Sequence, residues 1–304
     1  MTTQGFWRET TMDNRRLALI DKARVNNVHY LFPQGGGPRG SFTNFTDLSH
    51  QLQSRDLILM SGVLKEQAMT PVGVYDVTIL GAANRPRQAT NGGVPTGGGA
   101  SWLAPTVVAA NKALLEVIEQ GWHIENIQMA PPAALDCIRF RRMETAAIPD
   151  GSHGVVKSCY FSTGGAAGHF INIGECKRIV IEGNEFEAIG AGKCIRNTAD
   201  GGIAAPSYLT VRNNKFGRGN TYEIVTTAAD ALIEGNTFMR LFGVEAGMCI
   251  DLNGSAGRNR ILNNYFSDAT AQFAVAGGYR TGAATDRWRN WVGDAADPIV
   301  ANPA

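Results

Sequence analysis

The chain has 304 residues, a formal net charge of +1, 44% hydrophobic and 18% charged residues, and 36 glycines. This composition excludes an intrinsically disordered chain, and the near-zero charge gives no electrostatic basis for binding nucleic acid or a membrane surface. The N-terminus lacks the features of a secretory signal, and no apolar run approaches the roughly 20 residues that a membrane helix requires.

Residues 1–40 show no repeat and are interpreted as an N-terminal arm. They contain a short predicted helix from Asp13 to Arg24 and four aromatic residues that no repeat would bury: Phe6, Trp7, Tyr30 and Phe32. The arm is expected either to cap the rest of the chain or to anchor it to a partner. In the second case these aromatic residues are the candidate contacts.

The segment that follows has the features of a capped sheet edge. Phe45–Leu52 is predicted to be a short helix with Thr46 or Asp47 near its start, and it would cover an open strand edge. Strands are predicted at residues 57–62 and 74–81. Residues 82–105 form a long insertion rich in Gly and Pro, and no Gly-Lys-Ser/Thr follows its glycines, so a phosphate-binding loop is not expected.

From residue 123 onward one pattern recurs six times. Each copy has an aliphatic residue five positions before a closing Phe or Met, a polar residue four before, and Asn or a small residue two or three before. The copies are His123–Met129, Val155–Phe161, Val180–Phe186, Thr210–Phe216, Leu232–Phe238 and Arg260–Phe266, and they recur every 22 to 32 residues. A repeat of this length predicts a solenoid, with a strand and a sharp turn in each copy.

A second strand is predicted eight to twelve residues after each closing residue. These strands contain Cys137–Phe140, Phe170–Ile173, Cys194–Arg196, Glu223–Val225, Cys249–Leu252 and Phe273–Val275. Two strands and two or more turns per copy describe one coil of a parallel β-helix, which we predict over residues 41–276. The five cysteines contain no C-x-x-C pair, and we expect reduced core residues.

Stacking of the coils would align residues that occupy the same position in successive copies, and it predicts two such columns. Glu125, Lys157, Glu182, Arg212 and Glu234 occupy the same position in successive copies, so their charges would alternate along the stack. Opposite charges on adjacent strands contribute roughly 0.2–1 kcal/mol per pair. Asn184, Asn214, Asn236 and Asn264 form a second column, which is interpreted as a hydrogen-bonded turn ladder rather than a ligand site.

Residues 277–304 lie beyond the repeat. Arginines and aromatic residues are concentrated between Tyr279 and Trp291, and these types are common at interface hot spots. The segment is predicted either to cap the last coil or to bind a partner through Trp288 and Trp291.

The helix, the RDLILMSG strand and the VTILGA strand resemble the opening of the pectate-lyase-like right-handed β-helix superfamily. The segment LLEVIEQGWHIENIQM resembles sequences of β-helical proteins encoded by tailed bacteriophages. The resemblance covers about residues 41–276. It implies an all-β chain folded as a right-handed single-stranded parallel β-helix with an N-terminal capping helix.

Members of this superfamily often bind or cleave polysaccharides, so the charged residues predicted to point outward are candidate catalytic residues. Lyases of the family use clustered carboxylates for calcium with an arginine base, and its hydrolases use two or three aspartates. The candidates here are Asp136, Arg139, Arg196 and Asp251, with Asn172 on the same face. They contain no Asp-Asp pair, and the histidines lack metal-ligand spacing. No catalytic residue, metal or cofactor is therefore predicted, and ion-paired surface charge is favoured.

The sequence favours a non-enzymatic virion protein of a tailed phage, a capsid decoration or head-spike protein assembled in the host cytoplasm. The expected partners are the major capsid protein or other virion proteins, together with further copies of the chain in a homotrimer. Binding of a host glycan is a further possibility that the sequence does not decide. The alternative is a carbohydrate-active or glycan-binding tailspike or depolymerase, acting as a polysaccharide lyase or glycoside hydrolase. A bacterial glycan-binding module is a third option, which the lack of an export signal disfavours.

Overall fold

The chain folds as a right-handed parallel β-helix whose coils each contribute strands to three parallel rows. The computed structural model describes residues 25–82, 99–110, 112–130, 135–141, 151–162, 168–187, 193–198, 208–217, 222–239, 248–252, 255, 257–266, 279–280, 287–292 and 299–301. Rows one and two form a single continuous sheet, and row three forms a second sheet.

Row one contains β1 Val28–Leu31, β2 Leu57–Met60, β5 Thr78–Gly81, β8 His123–Glu125, β11 Val155–Lys157, β14 Val180–Glu182, β17 Thr210–Arg212, β20 Leu232–Glu234, the first half of β23 Arg260–Phe266, and β25 Arg287–Val292. Row two contains β3 Gly62–Lys65, β6 Ala100–Leu103, β9 Gln128–Ala130, β12 Tyr160–Phe161, β15 Glu185–Phe186, β18 Lys215–Phe216, β21 Thr237–Phe238 and the second half of β23. Row three contains β4 Ala68–Met69, β7 Leu115–Val117, β10 Ile138–Phe140, β13 Ile171–Ile173, β16 Ile195–Asn197, β19 Tyr222–Thr226, β22 Met248–Asp251 and β24 Tyr279–Arg280. The last strand, β26 Ile299–Ala301, pairs antiparallel with β25.

A coil has three strands where the sequence predicted two. In most coils a turn residue such as Gly183 follows the row-one strand, and the closing residue lies on a short row-two strand of its own, such as β15 after β14. Two-residue strands are too short to show alternation, so the sequence pattern merged them with the preceding turn. The predicted row-three strands are confirmed for all copies except Phe273–Val275, which lies outside the described residues.

The aliphatic residues that precede the closing residues by five positions form an inward column. Ile181, Val211, Ile233 and Ile261 are register partners on successive row-one strands, and each is fully buried. The closing phenylalanines form a parallel column in row two, where Phe161, Phe186, Phe216, Phe238 and Phe266 stack with ring centroids 4.8 to 4.9 Å apart. Aromatic pairs contribute about 0.5–1.5 kcal/mol beyond their area burial, so this column stabilises the stack.

The cysteine and charge predictions also hold. All five cysteines are free and buried. Glu125, Lys157, Glu182, Arg212 and Glu234 are register partners in that order. The Arg212 guanidinium lies 3.0 Å from the Glu182 carboxylate, so this neighbouring pair of the column forms an ion pair between adjacent coils.

The N-terminal boundary differs from the predicted arm. The strand β1 lies within residues 1–40, yet it pairs in parallel with β2 and extends row one by one coil. Its burial increases along the strand, from exposed Val28 through half-buried His29 and Tyr30 to buried Leu31, so its residues do not show the alternation that marks later strands. The helix α1, Phe45–Ser49, is confirmed, but its N-cap is Asn44, whose side chain accepts a 2.7 Å hydrogen bond from the Asp47 N–H.

The C-terminal boundary differs as well. The strand β25 pairs in parallel with β23, and β24 pairs in parallel with β22, so both sheets continue past residue 276. The predicted helix from Asp13 to Arg24 lies outside the described residues. In the described part of the chain, no helix combines the length and apolarity needed to cross a membrane.

Candidate functional site

The outward side of row three carries a connected set of charged and polar side chains, which we call the polar face. Its register partners along the stack are Glu116, Arg139, Asn172, Arg196, Val225 and Asp251. The row-three strands alternate, so Ile138 and Phe140 point into the core while Arg139 between them points outward. Four of the predicted candidate residues therefore lie on or beside one face.

Asp136 is the hub of the polar face. Its carboxylate accepts hydrogen bonds from Nε of Arg139 at 2.8 Å, from Nδ2 of Asn172 at 2.9 Å and from the backbone N–H of His169 at 2.9 Å. It is only 4% exposed. These three donors occupy the carboxylate and leave it poorly placed to take a proton from a ligand.

Glu116 is held in a similar way from the adjacent coil. Its two carboxylate oxygens lie 3.5 Å from Nη1 of Arg139 and 2.9 Å from Nη2 of Arg141. On the other side, Nη1 of Arg196 donates to Oδ1 of Asn172 at 3.3 Å. Glu116, Arg139, Asp136, Asn172 and Arg196 thus form one network that spans four coils.

His169 and Lys193 lie beside this network. Nδ1 of His169 accepts a 3.0 Å hydrogen bond from the backbone N–H of Lys193, so the imidazole proton is assigned to Nε2. Burial lowers the pKa of His169, and the nearby Asp136 opposes this only in part. Burial also lowers the pKa of Lys193, against the opposing effect of Asp251 and Glu223. The neutral imidazole therefore presents an N–H donor rather than a free basic nitrogen.

The structure joins three of the four candidates through short contacts and places the fourth farther along the stack. Asp136 and Arg139 are in contact, and Asn172 links them to Arg196. Asp251 lies on the same face but two coils beyond Arg196, with Val225 between them, which is about 10 Å at the usual strand spacing. Among the described residues, no group of three or more His, Cys, Asp and Glu side chains could hold a metal ion.

Sequence reasoning missed Glu116, Arg141, His169 and Lys193. Glu116 was detectable, because Leu114-Leu115-Glu116-Val117 has the same in–out pattern as the Cys137–Phe140 strand. His169 and Lys193 are placed by hydrogen bonds between coils, which leave no local pattern in the chain.

Of the proposed partner-binding residues, only Tyr30 and Phe32 have side chains that the structure describes. Tyr30 is half-buried on β1, and Phe32 is buried with its ring centroid 6.5 Å from that of Tyr30. Phe6 and Trp7 lie outside the described residues. Trp288 and Trp291 belong to β25, and their side chains lie outside the described set. A partner-binding role for these residues stays a prediction.

A second outward feature lies at the corner before row one. In eight successive coils, the residue two positions before the row-one strand adopts a left-handed backbone with φ between 57° and 74°. These residues, which we call the corner column, are Arg55, Asp76, Gly121, His153, Arg178, Tyr208, Asp230 and Arg258. For six of these residues, the N–H donates to a carbonyl of the next coil, as in the 2.9 Å bond from His153 to the Lys177 carbonyl.

The residue types in the corner column are unusual for this backbone. A left-handed residue with a side chain costs roughly 1–2 kcal/mol, and only Gly, Asn and Asp adopt it routinely. The turn between rows one and two has its own left-handed column, the turn column, which contains only Asn126, Ser158, Gly183, Asn213, Gly235 and Asn263. The fold therefore accommodates Asn, Ser or Gly at such a corner, whereas the corner column contains Arg178, Tyr208 and Arg258.

The corner-column side chains contact one another along the stack. Nη1 of Arg178 lies 3.2 Å from Nε2 of His153, and its guanidinium carbon lies 5.8 Å from the ring centroid of Tyr208. Arg258 donates to both carboxylate oxygens of Asp230, at 2.8 and 2.7 Å. Exposed contacts of this kind generally contribute less than a left-handed backbone costs.

These observations define a right-handed parallel β-helix with two elaborated outward surfaces. Residues 139–284 match the family model described as "Right handed beta helix region". The superfamily resemblance seen in the sequence is thereby confirmed at the level of the fold. No curated protein matches the sequence.

Several solved structures are similar to this chain at low TM-scores. A pectin methylesterase from Aspergillus niger is 12% identical, with 91% of this chain and 88% of that chain covered and a TM-score of 0.36. Geobacillus virus E2 ORF18 is 9% identical, with 92% and 63% covered and a TM-score of 0.36. PfbA, a surface adhesin of Streptococcus pneumoniae, is 8% identical, with 82% and 83% covered and a TM-score of 0.35. At these TM-scores the similarities assign neither activity nor partner to this chain.

Proposed function

We propose that the protein is a non-enzymatic structural protein of a tailed-phage particle, a β-helical knob or spike that decorates the capsid. The phage part of the proposal is supported by the sequence of residues 114–129, which resembles sequences of phage β-helical proteins. The proposed partners are the major capsid protein or another virion protein and further copies of the chain.

One observation supports the non-enzymatic part of the proposal. The two buried carboxylates of the polar face are already bound by donors of the protein itself. Asp136 accepts three hydrogen bonds from its own sheet, and Glu116 is bound by two arginines. A general acid or base needs an accessible group within reach of the substrate, and a glycosidase needs a pair of such carboxyls. These two acids instead hold neighbouring coils together.

The enzymatic alternative can be tested with the purified full chain. Polygalacturonate, methylated pectin and alginate are incubated with the protein, and reducing ends and unsaturated products are measured. We expect no product above the background of an Asp136→Asn variant. Product formed by the native chain and abolished in that variant would establish a carbohydrate-active enzyme instead.

The particle assignment has its own test. Purified particles of the phage that encodes the chain are imaged after labelling with an antibody against the β-helix. Label distributed over the capsid supports decoration. Label confined to the tail would favour the tailspike reading, and unlabelled particles would refute a virion role.

A second candidate function is binding of an acidic glycan without cleavage. It is favoured by the donor-rich character of the polar face, where Arg139, Arg196, Lys193 and the Nε2–H of His169 lie on neighbouring coils. Arginine forks suit carboxylates. Calorimetry with oligogalacturonate tests it: Arg196→Gln should weaken binding at least five-fold, and absence of heat with the native chain would dismiss this candidate.

A further inference from the structure

Arg178 of the corner column and two cationic side chains near it are exposed, and no ion pair to an acidic residue is found for them in the described part of the chain. Arg178 is exposed and contacts only His153 and Tyr208 among the described residues, and Lys177 beside it is exposed as well. Tyr208 is 53% exposed. Three coils beyond Arg178, Arg260 is exposed and forms no ion pair within the described part of the chain.

The fold does not require these side chains at these positions. The turn column has the same left-handed backbone and the same coil-to-coil hydrogen bonds, and it is built from Asn, Ser and Gly. Arginine and tyrosine adopt this backbone at a cost that their mutual exposed contacts do not offset. Strained residues of this kind point to a role outside the fold itself.

An apolar strip lies directly beside the corner column on row one. Val155, Val180 and Leu232 are register-aligned outward residues that are half-buried, with Thr210 between the last two. The charge column borders the strip on its other side. An apolar strip between charged margins is the composition of a protein–protein interface, and Tyr and Arg are the residue types enriched at its hot spots.

We propose that this surface, formed by Lys177, Arg178, Tyr208 and Arg260 with the adjacent strip, docks an acidic surface of a partner protein. Arg178 and Arg260 lie three coils apart, about 14 Å along the axis, so the partner would present carboxylates at a similar separation. The bidentate contact of Arg258 with Asp230 shows how an arginine in this column binds a carboxylate. The proposal goes beyond the proposed function and does not depend on a location in a virion.

The test uses the full chain, poly-L-glutamate as the acidic protein probe, and low ionic strength, where surface electrostatics are strongest. Arg178→Asn and Tyr208→Asn install the residue that the turn column uses. We expect each to weaken binding three- to ten-fold while raising the thermal unfolding midpoint by about 2 °C, because the backbone strain is relieved. Loss of binding together with a gain of stability separates a docking role from a structural one.

Arg212→Asn is the matched control, since it removes the same charge from the neighbouring coil but outside the surface. It should change binding less than two-fold and should not raise the midpoint, because Arg212 has an ordinary backbone and pairs with Glu182. Equal losses for Arg178→Asn and Arg212→Asn would show non-specific attraction and overturn the proposal.

Two further results would also overturn it. A lowered midpoint in Arg178→Asn and Tyr208→Asn would show that the side chains serve the stack. Binding to polygalacturonate but not to poly-L-glutamate would assign the surface to an acidic glycan instead. Particle imaging is independent of this binding test, so failure of one leaves the other intact.

Discussion

Asn214 and Asn236 lie one coil apart and are joined by two hydrogen bonds to a single oxygen. Nδ2 and the backbone N–H of Asn214 both donate to Oδ1 of Asn236, at 3.0 and 2.9 Å. Nδ2 of Asn214 also donates to the Ile181 carbonyl at 2.9 Å. The same arrangement repeats from Asn184 to Asn264, which confirms the predicted asparagine ladder.

Replacing one member of this ladder should destabilise the stack. Asn214→Ala leaves the Asn184 N–H and the Ile181 carbonyl buried without their partner, which should lower the free energy of unfolding by about 2–4 kcal/mol. Urea denaturation measures this loss. Asn213→Gly at the neighbouring exposed turn position is the control and should cost less than about 0.5 kcal/mol. An equally mild effect for Asn214→Ala would mean that the ladder contributes little.

The inward column makes a second prediction. Ile233→Asp would bury a carboxylate without a partner, at a cost of several kcal/mol, and the chain should lose its cooperative β-sheet circular dichroism transition. Leu232→Asp on the outward side of the same strand should leave that transition in place. A folded Ile233→Asp variant would refute the register described for row one.

The first strand sets the limit for N-terminal truncation. Removal of residues 1–24 leaves β1 intact, so the β-sheet spectrum should be retained. Removal of residues 1–35 also deletes Asn27 and His29, which bind the buried carboxylate of Asp56, and the midpoint should fall. If the N-terminal arm anchors the chain to a particle, removal of residues 1–24 should stop attachment. Full attachment of that variant would place the anchor elsewhere, and Trp288–Trp291 would be the next segment to test.

The capping helix should respond to pH through Glu66. Its carboxylate accepts a 2.7 Å hydrogen bond from the Phe45 N–H. Burial raises the pKa of Glu66 above its ordinary value, and the backbone N–H groups of Phe45 and Thr46 oppose this only in part. Since the folded-state pKa is the higher one, the stability linked to Glu66 is complete below the unfolded pKa and is lost as pH rises through the folded pKa.

Glu66→Gln removes this titration and retains an oxygen that can accept from Phe45. The variant should therefore gain stability relative to the native chain as the pH rises from below the ordinary glutamate pKa to above the raised folded-state pKa. Urea denaturation of both proteins across this range measures the difference. A difference that is constant with pH, or that changes in the opposite direction, would contradict the raised pKa.

Self-association is the fifth prediction. We expect a homotrimer, because closed rotational symmetry allows outward faces to bury against copies of themselves. Light scattering at micromolar concentration should give about three times the 32.6 kDa of one chain. A strict monomer in solution and on the particle would exclude this assembly.

The core was predictable because each inward residue repeats in the chain at a recognisable place. Ile181, Val211 and Ile233 precede an Asn and a Phe at fixed offsets, and the solenoid turns those offsets into columns. The hub at Asp136 was not predictable to the same degree. Its partners His169 and Asn172 are 33 and 36 residues away, and nothing local marks them as neighbours.

The corner column was hidden for a different reason. Glycine and asparagine signal a left-handed turn in a sequence, whereas Arg178 and Tyr208 do not. Their backbone is imposed by hydrogen bonds to the coils above, such as the 3.0 Å bond from the Tyr208 N–H to the Ala229 carbonyl. Tertiary context thus overrides the local preference at the positions that carry the proposed docking surface.

The constant register of the coils coexists with connections of very different length. Row two leads to row three through five residues between Phe216 and Tyr222 but through nine between Phe161 and Ile171, and the flanking strands stay aligned. Coil geometry is thereby uncoupled from loop length. Such a frame can accept insertions at this corner during evolution, or grafted peptides in the laboratory, while the phenylalanine and asparagine columns keep the stack in place.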